Sequence, residues 1–92
     1  MIELIKELSD AFGPCGLEDK VSEIIYGKMA EICDKVEYSA IGSVIATING
    51  KSNLSPLMLS CGMDETTFMI GDIDGEGFIK LKNVTNHDPR SL

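Results

Sequence analysis

The sequence predicts an α/β fold in which two amphipathic helices pack on a small mixed sheet of about five strands. Two observations carry this. Apolar residues recur at helical spacing through the first third of the chain, then switch to short β-branched runs separated by Gly, Asn and Pro. The order, helices first and strands after, places the helices against one face of the sheet.

The first helix rests on Ile2, Leu4, Ile5, Leu8 and Phe12, which form one apolar stripe, and Gly13-Pro14 stops it. A second helix starts after Gly16. Glu18 and Asp19 fall in its first turn, where carboxylates favour the positive end of the helix dipole. Val21, Ile24, Ile25, Met29 and Ile32 give it an apolar face, and Gly27 inside it costs about 1 kcal/mol relative to Ala.

From Val36 the period changes. Val36-Glu37-Tyr38 alternates, Gly42 breaks the run, and Val44 to Ile48 is β-branched enough for a strand. Asn49-Gly50 signals a turn that Lys51 to Pro56 extends into a polar loop. Leu57 to Cys61 reads as a buried strand, and Thr66 to Ile70 and Phe78 to Val84 as two more. The connection from Gly71 to Gly77 reads as a hairpin turn with Gly75 and Gly77 at positive φ. The tail from Asn86 onward has no periodicity, and its His87 reads as a solvent-exposed residue.

Composition narrows the function classes. With 92 residues and a net charge of −7, this is one small domain or a piece of a larger one, repelled by phosphate backbones and anionic bilayers. Neither nucleic acid nor membrane is therefore an expected partner. The absence of Trp requires an aliphatic core to which Met58, Met63 and Met69 contribute. Cys15, Cys33 and Cys61 form no C-x-x-C pair, which leaves free thiols and a cytoplasmic location as the expectation. The start of the chain is too acidic for a signal peptide.

The chemistry concentrates at Ser60 to Glu65. Polar and acidic residues just past the carboxyl end of a strand occupy the usual place for a site in an α/β sheet, and Asp64 and Glu65 sit there, in a tight connection between two strands. Cys61 beside them, with no His nearby in sequence, reads as a small buried apolar residue rather than a nucleophile. A separate pattern, Asp72-x-Asp74-x-Glu76-Gly77, spaces three carboxylates as a calcium loop does. Asp72, Asp74 and Glu76 are therefore the alternative, calcium-binding candidates; against them, Asn83 stands where such a loop places its bidentate Glu.

Gly62-Met63-Asp64-Glu65-x-x-Phe68-Met69 resembles the HMDE-x-x-F-M motif of the M42 metallo-aminopeptidases, a glutamyl aminopeptidase and endoglucanase-M-like family. Supporting matches run in order: Leu-Ser-Asp-Ala-Phe-Gly-Pro-Cys-Gly-Leu-Glu-Asp at 8–19, Ala40 to Ala46, Asp74 to Ile79 and Asp88-Pro89-Arg90. The resemblance covers nearly all of this chain but only the amino-terminal part of the family's longer one. It implies peptide hydrolysis with two zinc or cobalt ions in a homo-oligomer.

By the same resemblance, residues 1–70 would be part of a catalytic-type α/β domain. Residues 71–92 would begin a β-rich dimerisation-type insert, or form a terminal hairpin of the same domain. Asp64 matches the position that orients a metal-binding imidazole, but the imidazole's own position is Gly62, and the remaining ligands lie downstream in the family. Asp64 is then vestigial, Glu65 a weaker candidate, and no metal ligand or cofactor is expected for this chain alone. Its partners would be a second copy or a complementary polypeptide, met through unpaired strand edges.

Overall fold

The computed structural model describes residues 1–52, 55–86, 88 and 90. His87, part of the 51–56 loop and most of the tail lie outside the described residues. Two helices, α1 (Ile2–Asp10) and α2 (Asp19–Ala30), precede four strands: β1 (Lys35–Tyr38), β2 (Val44–Thr47), β3 (Phe68–Ile73) and β4 (Ile79–Asn83). The mixed α/β class with two leading helices is the one expected. Its sheet differs: the strands form two separate antiparallel pairs, β1 with β2 and β3 with β4.

The first pair is organised around α2. The Tyr26 ring stacks on Tyr38, with centroids 4.8 Å apart and planes 13° from parallel. The Tyr26 hydroxyl donates to the Val36 carbonyl at 3.3 Å. At the tip of this hairpin Gly42 adopts φ 87°, which a side chain would resist, and the Ser39 amide donates to the Ser43 carbonyl at 2.8 Å.

In the second pair, Ile73 faces Ile79 and Ile70 faces Leu81, with a bulge between Ile70 and Asp72. Opposed residues share a face of a two-stranded ribbon, so the bulge brings Ile73 onto the side occupied by Phe68 and Ile70. The other side carries Met69, Asp72, Lys80 and Lys82, and Lys80 pairs with Asp72 at 3.7 Å. The turn uses Gly77 at φ 89°; Gly75 is not at positive φ, a correction to the expected pair.

The expected strand at 57–61 does not form. Strands exist by pairing, and among the described residues no backbone lies beside this run to pair with it. Asp64 and Glu65 accordingly join an irregular segment, not a strand, to β3. The expected core is missing for a related reason. Val21, at 5% exposure, is the one buried hydrophobic residue among those described; Cys61 is exposed, Met58 and Met69 are exposed, and Met63 is half-buried. An accessible surface of 8091 Å² compares with about 5,200 Å² for a compact monomer of this mass. The radius of gyration is 17.8 Å, where about 12 Å suits a compact domain of this length. The apolar residues stand exposed because the described residues supply too little neighbouring structure to cover them.

Candidate functional site

Residues 13–14 and 63–65 meet across the molecule and position the acidic segment. The Gly13 amide donates to Glu65 Oε1 at 3.2 Å, the Glu65 amide donates to the Gly13 carbonyl at 3.0 Å, and Pro14 and Glu65 form a parallel bridge. Glu65 therefore acts as a clamp that fastens the segment to the loop after α1. Nothing in the sequence pattern announced this bond, because its two ends are 52 residues apart. The one local signal is Gly13 itself, a helix stop that also falls within the matched run at 8–19.

Gly13 is buried against α2. A Cβ at this position would stand 2.6 Å from Val21 Cγ2, so the close approach requires glycine. Just beyond, the Gly16 amide donates to Glu18 Oε1 at 2.7 Å, and the Ser22 hydroxyl donates to the Asp19 carbonyl at 2.8 Å. These contacts fix the start of α2 beside the acidic segment.

An open cleft of about 400 Å³ lies between them, lined by Glu18, Asp19, Ser22, Val44, Cys61, Gly62 and Asp64 among others. The acidic segment and the first turn of α2 thus share one wall, a juxtaposition the sequence reading did not anticipate. A Cβ on Gly62 would stand 3.0 Å from Asp64 Oδ1. The Asp64 carboxylate therefore lies beside the spot where a side chain at 62 would begin. With glycine there, that carboxylate faces open cleft. Among the described residues no group of three His, Cys, Asp or Glu side chains converges to hold a metal ion. The residues present do not fit a two-metal centre, which needs several carboxylates and imidazoles around ions about 3.5–4 Å apart.

The calcium candidates sit elsewhere, at the β3–β4 turn. Asp74 Oδ1 accepts the amides of Glu76 and Phe78, each at 3.0 Å, and Asp72 faces Lys80. Asp74 thereby organises the turn through its own backbone neighbours. All three cysteines are free thiols. Among the described residues no helix is long and apolar enough to cross a membrane.

The comparisons with known proteins point first to a class, the aminopeptidases. A relative from Acetivibrio thermocellus, assigned by its name to that class, is 30% identical over 84 residues, covering 91% of this chain and 25% of its own length. The lysyl aminopeptidase of Pyrococcus furiosus is 24% identical over 91 residues, covering 98% of this chain and 26% of its own. The crystal structure of a TET aminopeptidase from a marine sediment archaeon, Thaumarchaeota archaeon SCGC AB-539-E09, matches with a TM-score of 0.74 and 32% identity. That match covers 99% of this chain and 25% of the other.

The family follows from the family model. Residues 42–92 match the model described as M42 glutamyl aminopeptidase, and the chain belongs to that family. It spans about a quarter of the length of the relatives it matches.

Proposed function

We propose that this chain represents the amino-terminal quarter of an M42-type aminopeptidase, or a degenerate short relative of one, and that by itself it does not hydrolyse peptides. The observation that carries this is the meeting of Gly62 and Asp64. The Asp64 carboxylate lies 3.0 Å from where a Cβ at 62 would be, beside the position that carries the metal-binding imidazole in the motif this segment resembles, and that position is glycine. Among the described residues no set of side chains supplies a coordination shell. In the parent family the activity would be metal-dependent removal of amino-terminal residues from peptides.

On this reading residues 1–70 are the partial catalytic-type domain. Residues 71–92 open a β-rich insert or close the small domain as a hairpin. The protein works in the cytoplasm, its thiols reduced. The test is an aminopeptidase assay on the isolated chain, with zinc or cobalt added and metal content measured. The expected result is no turnover above buffer, and turnover with two bound ions would overturn it.

A second reading is favoured by the exposed apolar surface: an interaction module that pairs with a second copy or with a polypeptide carrying the missing part of the fold. A surface of 8091 Å² on a chain this size is what a subunit separated from its cover presents. The downstream reading frame discriminates: ligand-bearing Asp, Glu and His residues there support a split enzyme, and their absence supports the module.

A further inference from the structure

We infer that Asn49 is a modification site: its side chain deamidates spontaneously, through a cyclic imide closed by the Gly50 nitrogen, to aspartate and isoaspartate. The inference is independent of both readings above, because the reaction needs no partner and no metal, only water.

The Gly50 nitrogen, its proton lost to solvent base, attacks Asn49 Cγ. The new N–C bond closes a five-membered imide as the Cγ–Nδ2 bond breaks and ammonia leaves. One water then opens the ring. Opening at Cγ restores the ordinary backbone with an aspartate; opening at the backbone carbonyl leaves isoaspartate, whose main chain runs through Cβ and Cγ. Nothing is oxidised or reduced, and the net change is amide plus water to carboxylate plus ammonium.

Two pairs in the chain, Asn49-Gly50 and Asp74-Gly75, set a Gly after a residue that can close such a ring. The missing Cβ leaves the attacking nitrogen uncrowded. The structure treats the two pairs differently. Asn49 and Gly50 are exposed, follow the end of β2 and lie in no helix or strand. Among the described residues neither the Gly50 amide nor the Asn49 carboxamide makes a hydrogen bond, so nucleophile and target are both unengaged. Asp74 is engaged instead: its Oδ1 accepts the Glu76 and Phe78 amides, and ring closure there requires both bonds to break. Asn83 is held in β4 opposite Phe68, and the branched Val84 follows it.

The change falls at the open end of the β1–β2 pair. The Asn49 amide donates to Asp34 Oδ2 at 2.6 Å, and the Asp34 amide donates to the Thr47 carbonyl at 3.0 Å, so Asp34 ties this end together. Deamidation sets a second carboxylate on the residue that Asp34 holds, in a chain already at −7. Like charges on bonded neighbours repel, and the tie loosens as the chain ages.

The test is incubation of the full chain in warm, mildly alkaline buffer, with and without urea, followed by peptide mapping with an isoaspartate-specific label. In the native chain Asn49 is expected to show the mass change of amide to acid and to gain isoaspartate, while Asp74 gains none. In urea both sites are expected to gain it. Gly50→Ala is expected to slow the change at Asn49 by about tenfold or more, about 1.4 kcal/mol on the barrier. That variant should fold like the parent, since Gly50 is not at positive φ and a Cβ there meets nothing nearer than the Ser52 carbonyl at 3.7 Å. Asn49→Asp is expected to speed hydrogen exchange of the amide at 49 several-fold, and unchanged exchange overturns the loosening. An Asn49 that keeps its carboxamide in the native chain and loses it only in urea overturns the inference. So does a native rate at Asn49 no faster than at Asn83, or one that Gly50→Ala leaves unchanged.

Discussion

Gly13 packs against Val21 so closely that a methyl at position 13 would stand 2.6 Å from Val21 Cγ2. Val21 is the one buried hydrophobic residue among those described, so this contact joins the loop, helix α2 and the acidic segment at their common centre. Gly13→Ala is expected to cost about 1–3 kcal/mol, the usual penalty for overpacking. Chemical denaturation followed by circular dichroism measures it. Gly27→Ala is the internal control: nothing lies within 4 Å of its Cβ position in α2, and the change should stabilise by about 0.5–1 kcal/mol.

Glu65 should matter through the Gly13 amide rather than through acid chemistry. Glu65→Ala removes the acceptor at 3.2 Å and is expected to cost about 1 kcal/mol. Glu65→Gln keeps an acceptor oxygen and should retain most of the stability. Amide hydrogen exchange at Gly13 reports the bond directly; equal protection in both variants would show that the clamp lies elsewhere.

Asp74 holds the β3–β4 turn by accepting the Glu76 and Phe78 amides. Asp74→Ala should expose those two amides to exchange and leave α2 and the β1–β2 pair unaffected. Asp74→Asn, which keeps the acceptor, should restore protection. If calcium binding were the residue's role, the asparagine variant would instead lose a calorimetric response to millimolar calcium that the parent displays.

The exposed pair Asp88 and Arg90 gives a pH dependence of known sign. Side-chain and then backbone hydrogen bonds from Arg90 hold the Asp88 carboxyl below its usual value of 3.8. A lowered carboxyl contributes stability that is fully present above the unfolded value and is lost as pH falls through the lower folded value. Carbon-detected titration of Asp88 should therefore report a midpoint under 3.8, and Arg90→Ala, which keeps the backbone amide but loses the guanidinium, should raise it toward that value.

Gly62→His places an imidazole against Asp64 with the carboxylate already 3.0 Å from the new Cβ. The carboxylate is exposed and can yield the few tenths of an ångström required. The variant is expected to gain zinc affinity by about tenfold over the parent in a calorimetric titration, the scale of an oriented histidine ligand. Aminopeptidase turnover should stay at baseline, since one added ligand does not complete a two-metal shell.

The sequence by itself determined what depends on neighbours along the chain. The 3.6-residue period of Ile2 to Leu8 and of Val21 to Met29 made two helices, and the glycines at 42 and 77 made two turns. The order of matched residues around Gly62 to Glu65 marked the M42 family, which the family model bears out. Only the tertiary structure decided what depends on distant partners. An apolar run such as Leu57-Met58-Leu59 becomes a strand only when other backbone lies alongside, and among the described residues none does. The Glu65–Gly13 clamp, the cleft shared by Asp64 and the start of α2, and the division of the strands into two pairs arise from contacts across long sequence separations. Local periodicity carries no record of those contacts.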